Sequence, residues 1–134
     1  MTGSDRCLQP TGPLGPDAAR RMVGRGDGLT PLGDDILCGW LATHRAAGVA
    51  TPSVDAAVRA LMPSTTLLSA TLLDCAMHGE VLPEFAAYIA SLGTAHEPAA
   101  AAALAAVGHT SGSGLLYGAH LALAELHHPI GAVA

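Results

Sequence analysis

The chain has no lysine; all six of the basic residues among its 134 are arginine. That absence removes Schiff-base chemistry and the lysine of a Walker-type phosphate loop. Aromatic residues are scarce, with one Phe, one Trp and two Tyr, so the core must be built from small aliphatic side chains in close contact. Positive charge is in the minority, and a formal net charge of -5 argues against a nucleic-acid-binding surface. Cys7, Cys38 and Cys75 form no CxxC pair, and an odd number of cysteines suits a reducing compartment better than a disulfide framework. No apolar segment of a secretory signal opens the sequence. No run of five or more residues alternates apolar and polar side chains with β-branched enrichment, so no strand is predicted. The longest uncharged run, residues 98–124, is long enough to span a bilayer, but His109, Ser111, Gly112, Ser113 and Gly114 sit at its middle, where lipid would penalise polar groups. It reads as two buried helices joined by a loop, in a protein expected in the cytoplasm with no membrane partner.

What is present is apolar and helical. Half of the residues are hydrophobic, enough for the core of one domain. Residues 1–16 (MTGSDRCLQPTGPLGP) hold three prolines and three glycines and are expected to be a flexible N-terminal arm. Residues 17–134 are then a single helical domain, an all-α compact bundle of about six to seven helices joined by short glycine-rich loops. A short helix is predicted from Asp17 to Met22, and a longer one from Pro31 to Ala47 with Thr30 as its cap. Further helices start near Ser53 and end before Pro63, start after a Ser64 cap and stop at Gly79, and run over 83–92 and 97–107. The last is predicted from Ser111 to His127, with Thr110 as cap and Pro129 as its stop. Small residues recur at helical spacing at Asp35, Gly39, Ala42 and Ala46, and again at Gly114, Gly118 and Ala122, marking faces on which helices approach closely.

Two loops combine glycine with polar groups at a helix start. GRGDGLTPLGDD, residues 24–35, holds four glycines, a costly choice unless the backbone needs positive φ or close approach. VGHTSGSGLLYG, residues 107–118, adds hydroxyls. A helix N-terminus carries free N–H donors and partial positive charge, so such a loop is a candidate cradle for a small anion. The candidate binding residues are Gly28, Thr30, Gly33, Thr110, Ser111, Gly112 and Ser113; tight packing is the alternative role for their glycines. Asp34 and Asp35 are the candidate catalytic carboxylates. They point about 100° apart on a helix, so at most one of them faces inward, and Asp35 shares the stripe of Gly39, Ala42 and Ala46. A buried aspartate there can accept a proton, hold an amide or ligate Mg²⁺, although each also suits the helix dipole as a first-turn acid. His109, inside the second loop, is the candidate proton donor. No metal motif and no cofactor motif is found: the C-terminal histidines lack i, i+4 pairing.

Taken together, GxGxGLTPxGDDxLxG at Gly24–Gly39, the stretch Thr66–Glu80 and GHxSGxxLLxG at Gly108–Gly118 resemble the AllH-like family, which includes the AllH subunit of oxamate carbamoyltransferase. The three blocks follow the family's order over most of residues 24–122 and resemble its C-terminal half. The resemblance implies a link to carbamoyl transfer between carbamoyl phosphate and oxamate, alongside other enzyme subunits. Residue 114 is Gly where the family often has an acid. The functional expectation is therefore an enzyme subunit, or a divergent biosynthetic enzyme, acting on a small anionic, amide-type substrate. A non-catalytic assembly or small-molecule-binding subunit is the alternative. The partners expected are the substrate and either a second copy of the chain or the other subunits of an enzyme complex.

Overall fold

The computed structural model describes residues 13–133, and side chains as far as residue 127. Among the described residues there are seven α-helices and no strand. They are α1 (Pro16–Met22), α2 (Leu32–Ala46), α3 (Pro52–Leu61), α4 (Leu67–Met77), α5 (Pro83–Ser91), α6 (Glu97–Ala105) and α7 (Ser111–Val133), with a 3₁₀ turn at Met62–Ser64 between α3 and α4.

The organising element is α2, whose residues from Gly33 to His44 are all buried. A helix apolar around most of its circumference belongs at the centre of a bundle, and this one packs against α7 on one side and α4 on another. Close approach needs missing side chains. A Cβ on Gly39 would collide with the carbonyl oxygen of Leu115, and one on Gly118 with that of Ile36. The two small-residue stripes are thus one helix–helix seam. Around it α1 lies against α3, and the α5–α6 pair is joined to the bundle through α6 on α7. Leu37, Leu41, Val58, Leu73 and Leu104 are fully buried between these elements, with Phe85 and Tyr88 supplying the aromatic bulk. Arg45 staples the far end of α2, donating to the carbonyls of Met77 (2.9 Å) and Val49 (3.0 Å) and pairing with Asp55.

Several helix ends differ from those predicted. Pro31 occupies the cap position of α2 and no side chain caps it; the Thr30 hydroxyl is drawn away to Ser111. Thr66, not Ser64, caps α4, accepting from the Ser69 N–H at 3.0 Å. Ser64 lies in the 3₁₀ turn and donates to the Leu61 carbonyl instead. The last helix does not stop at Pro129 but continues to Val133. Of the arm expected over residues 1–16, residues 1–12 lie outside the described ones. Leu14 is buried in the core and its N–H donates to Glu125, whose other carboxylate oxygen accepts from the Trp40 indole at 2.8 Å.

Candidate functional site

The adjacent aspartates at the start of α2 are both buried, against the expectation that at most one faces inward. Helix α2 is enclosed on nearly every side, so the 100° step between them only sends them to different neighbours. Asp34, 1 % exposed, faces the glycine loop. It accepts from the Gly24 N–H at 2.8 Å and from the Thr65 hydroxyl, so it ties the loop and the segment before α4 to the central helix. Gly24 can sit there because its φ is +77°. Asp35 is 4 % exposed and faces the other way, into a cavity of about 280 Å³. Its Oδ2 has no hydrogen-bond partner. A buried polar atom without a partner is uncommon in folded proteins, and this one belongs to a side chain that lines the cavity.

The cavity is assembled from three directions. Helix α2 contributes Asp35, Cys38 and Ala42, at i, i+3 and i+7 on one face; α4 contributes Leu72, Cys75 and Ala76; and α7 contributes Ser111 and Leu115. The segment into α5 closes the remaining side with Glu80, Val81, Leu82 and Phe85, of which the first three are exposed and mark the mouth. Two carboxyls, two thiols and one hydroxyl stand among otherwise apolar walls, and among the described residues no basic side chain lines it.

The electrostatics follow from that lining. Burial raises the Asp35 carboxyl to about 7; the Ser111 hydroxyl pulls against this, the Asp34 charge adds to it, and the Thr30 hydroxyl again opposes it. Near neutral pH the group is therefore present in both protonation states and can give or take a proton. Burial likewise pushes the Cys38 thiol well above its usual value, with the Asp35 charge a smaller contribution, which makes it a poor nucleophile.

The two glycine loops meet beside this cavity. The Thr30 and Ser111 hydroxyls are 2.7 Å apart, and a Cβ on Gly114 would stand 2.6 Å from the Cβ of Asp35. Of the candidate residues, Asp35 and Ser111 line the cavity and Thr30 reaches it through Ser111. The rest lie elsewhere. His109, Thr110 and Ser113 are exposed and none lines it. Gly28 is an exposed turn residue at φ +84°.

Gly33 and Gly112 are buried packing points, where a Cβ would strike the carbonyls of Met22 and Leu104. Their N–H groups are engaged, donating to the Arg25 carbonyl and the Val107 carbonyl at 2.9 Å each, and the Gly114 N–H donates to Thr110. These donors are consumed by the chain itself, so the glycines serve close packing here. Sequence reasoning passed over Cys38, Cys75, Leu72 and Phe85. For Cys38 a signal existed, because it lies three residues from Asp35 on the same helical face. Phe85 carried none, since it comes from an element distant in sequence.

Among the described residues no group of three or more His, Cys, Asp or Glu side chains is arranged to hold a metal ion, and no helix is long and apolar enough to cross a membrane. Comparison with curated proteins and with solved structures finds no significant match to the chain. The family model described as oxamate carbamoyltransferase subunit AllH matches residues 22–123, a span that contains every residue lining the cavity. With both glycine loops and the seam between α2 and α7 inside that match, the chain belongs to the AllH family.

Proposed function

We propose that the chain is a carbamoyltransferase subunit whose cavity receives the amide end of a small substrate, with Asp35 as the group that orients it and takes its proton. The observation that supports this most strongly is the unpartnered, buried oxygen of Asp35, a side chain that lines the cavity. In carbamoyl transfer an amide nitrogen attacks the carbamoyl carbon. A new N–C bond forms, the C–O bond to phosphate breaks, and the nitrogen loses one proton. A carboxyl titrating near 7 suits that last step, because a general base works best with a pKa close to the operating pH. Ser111, held by Thr30 at 2.7 Å, is placed to keep the carboxyl in position.

The carbamoyl donor is strongly anionic, and the described residues of the cavity offer it two carboxyls and no base. This supports a division of labour in which another subunit holds the phosphate end, in keeping with a family whose members are enzyme subunits. The test is carbamoyl transfer from carbamoyl phosphate to a primary amide in the complex isolated with the tagged chain. Asp35→Asn should lower the rate by at least 100-fold, and Asp34→Asn, once shown to be folded, should keep most of it. Full activity in Asp35→Asn would sink the proposal.

A second reading has its own support. Leu67 is 85 % exposed and Leu29 71 %, and the two stand close, because the Thr66 hydroxyl donates to the Leu29 carbonyl. An apolar pair so exposed fits an assembly face, for a second copy of the chain or for another subunit.

A further inference from the structure

Helix α4 has more apolar surface than its own chain covers. Ser69, Leu73, Ala76 and Met77 are buried, on the side turned to α2. Leu67, Leu68 and Thr71 stand exposed on the other side, with Leu72 half-buried beside them. A helix apolar on nearly all sides belongs inside a structure, yet α4 packs mainly on α2 alone. The exposed strip continues beyond both ends of the helix. Leu29 stands at its start, where the Thr66 hydroxyl donates to the Leu29 carbonyl. Leu72 leads into the cavity, whose mouth carries the exposed pair Val81 and Leu82. Midway, the Thr71 hydroxyl donates to the Leu67 carbonyl at 2.9 Å and so brings no unmet donor to a contact.

The two ends of the strip differ in charge. A Cβ on Gly24 would lie 3.2 Å from the Ser64 carbonyl oxygen, so the loop that carries Arg25 flanks the start of α4. Arg21 lies alongside, its carbonyl accepting from Nε of Arg25 at 3.2 Å; Asp27, exposed in the same loop, offsets one of the two guanidiniums. Glu80 follows the other end of α4, its N–H donating to the Cys75 carbonyl. Arg25 and Glu80 are both exposed, and among the described residues neither joins an ion pair of its own chain. The 11 residues of α4 hold these ends about 16 Å apart. A face basic at one end, apolar along its length and acidic at the other is complementary to itself once turned about a two-fold axis.

Resting on the reading of Leu29 and Leu67 as an assembly face, and committing it to one partner, we infer that a second copy of the chain covers this strip. The two α4 helices lie antiparallel across Thr71, and Arg25 of each copy meets Glu80 of the other. The contact buries the leucines and sets a guanidinium at the mouth of each cavity.

The experiment is light scattering and sedimentation of the purified chain at high micromolar concentration, where the parent should be a dimer. Arg25→Glu and Glu80→Arg should each weaken the dimer by about tenfold or more, since like charges then face one another at two places. An equimolar mixture of the two variants should regain the parent's affinity, because every pair across the axis is again of unlike charge. A variant that merely folded badly would gain nothing from the mixture. Single variants that dimerise as tightly as the parent, or a mixture as weak as either variant alone, would overturn the inference. A parent that stays monomeric overturns it too. If Leu67→Glu then still loses the enzyme complex, the assembly face stands with another subunit as its occupant. None of these outcomes bears on Asp35, whose test is the rate of transfer.

Discussion

Asp34 and Asp35 are chemically identical neighbours with different work. Asp34 is satisfied by Gly24 and Thr65; Asp35 keeps one oxygen unsatisfied. Hydrogen bonds to a charged acceptor contribute about 1.5–3 kcal/mol each, so Asp34→Asn should lower stability by about that much, measured by urea unfolding. Asp35→Asn should behave in the opposite sense above neutral pH. Because its folded-state pKa is raised from 3.8 to about 7, the folded protein holds a proton there that the unfolded chain has lost. Stability from this group is thus full below about pH 4, falls as pH rises to about 7, and is flat beyond. The cost of burying the charge is on the order of 4 kcal/mol at the alkaline end. Urea unfolding of the parent and of Asp35→Asn at pH 5 and pH 8 checks this. The stability of the variant relative to the parent should increase from the first pH to the second, and an unchanged difference would mean that Asp35 titrates as an ordinary carboxyl.

At the scale of elements, the seam between α2 and α7 is set by backbone contact at glycine. Gly118→Ala places a methyl group against the Ile36 carbonyl, and neither backbone can give way without parting the helices. Overpacking of this kind costs about 1–3 kcal/mol or more, and calorimetry should show a melting temperature lower by several degrees. Since α2 also carries Asp35 and α7 carries Ser111, the same substitution disturbs the cavity. The helix caps offer a cleaner contrast. Thr66→Ala removes both the cap on Ser69 and the link to Leu29, and should cost about 1 kcal/mol. Ser64→Ala removes only an exposed local bond and should fall within about 0.5 kcal/mol of the parent. Equal losses in thermal melts would mean that the cap lies at Ser64 after all.

For the whole molecule, the exposed leucines bear on assembly. Leu67→Glu should leave the melting temperature of the isolated chain unchanged, because the side chain has little protein contact to lose at 85 % exposure. It should weaken self-association or the recovery of the enzyme complex, measured by light scattering at high micromolar concentration and by affinity isolation. A chain that is monomeric in both forms, and whose complex is recovered equally well with either, would remove this face from consideration.

Much of this protein was legible in its residues. The scarcity of aromatics, the lack of alternating segments and the glycine and proline punctuation led to seven helices with bounds close to those found, because helix formation depends on local spacing and local stops. The Asp35–Gly39–Ala42 stripe marked one close-packed face of α2, since a 3.6-residue period is a property of the chain alone. It did not show that the helix is buried on every side from Gly33 to His44. Caps were less legible: Thr30 and Ser64 both suit a cap position, but each hydroxyl found another partner, at Ser111 and at the Leu61 carbonyl. Such a choice rests on competition between bonds that only assembled neighbours offer. The same holds for the cavity. Neither its volume, its apolar wall at Leu72 and Phe85, nor the absence of a base among the described residues that line it follows from the glycine loops that drew attention to the site. Those loops suggested an anion cradle, and in the packed structure the Gly33, Gly112 and Gly114 N–H groups bond to carbonyls of the chain itself. Burial then leaves one carboxylate oxygen of Asp35 without a partner, because desolvation and hydrogen bonding depend on what surrounds a group in space and not on its place along the chain.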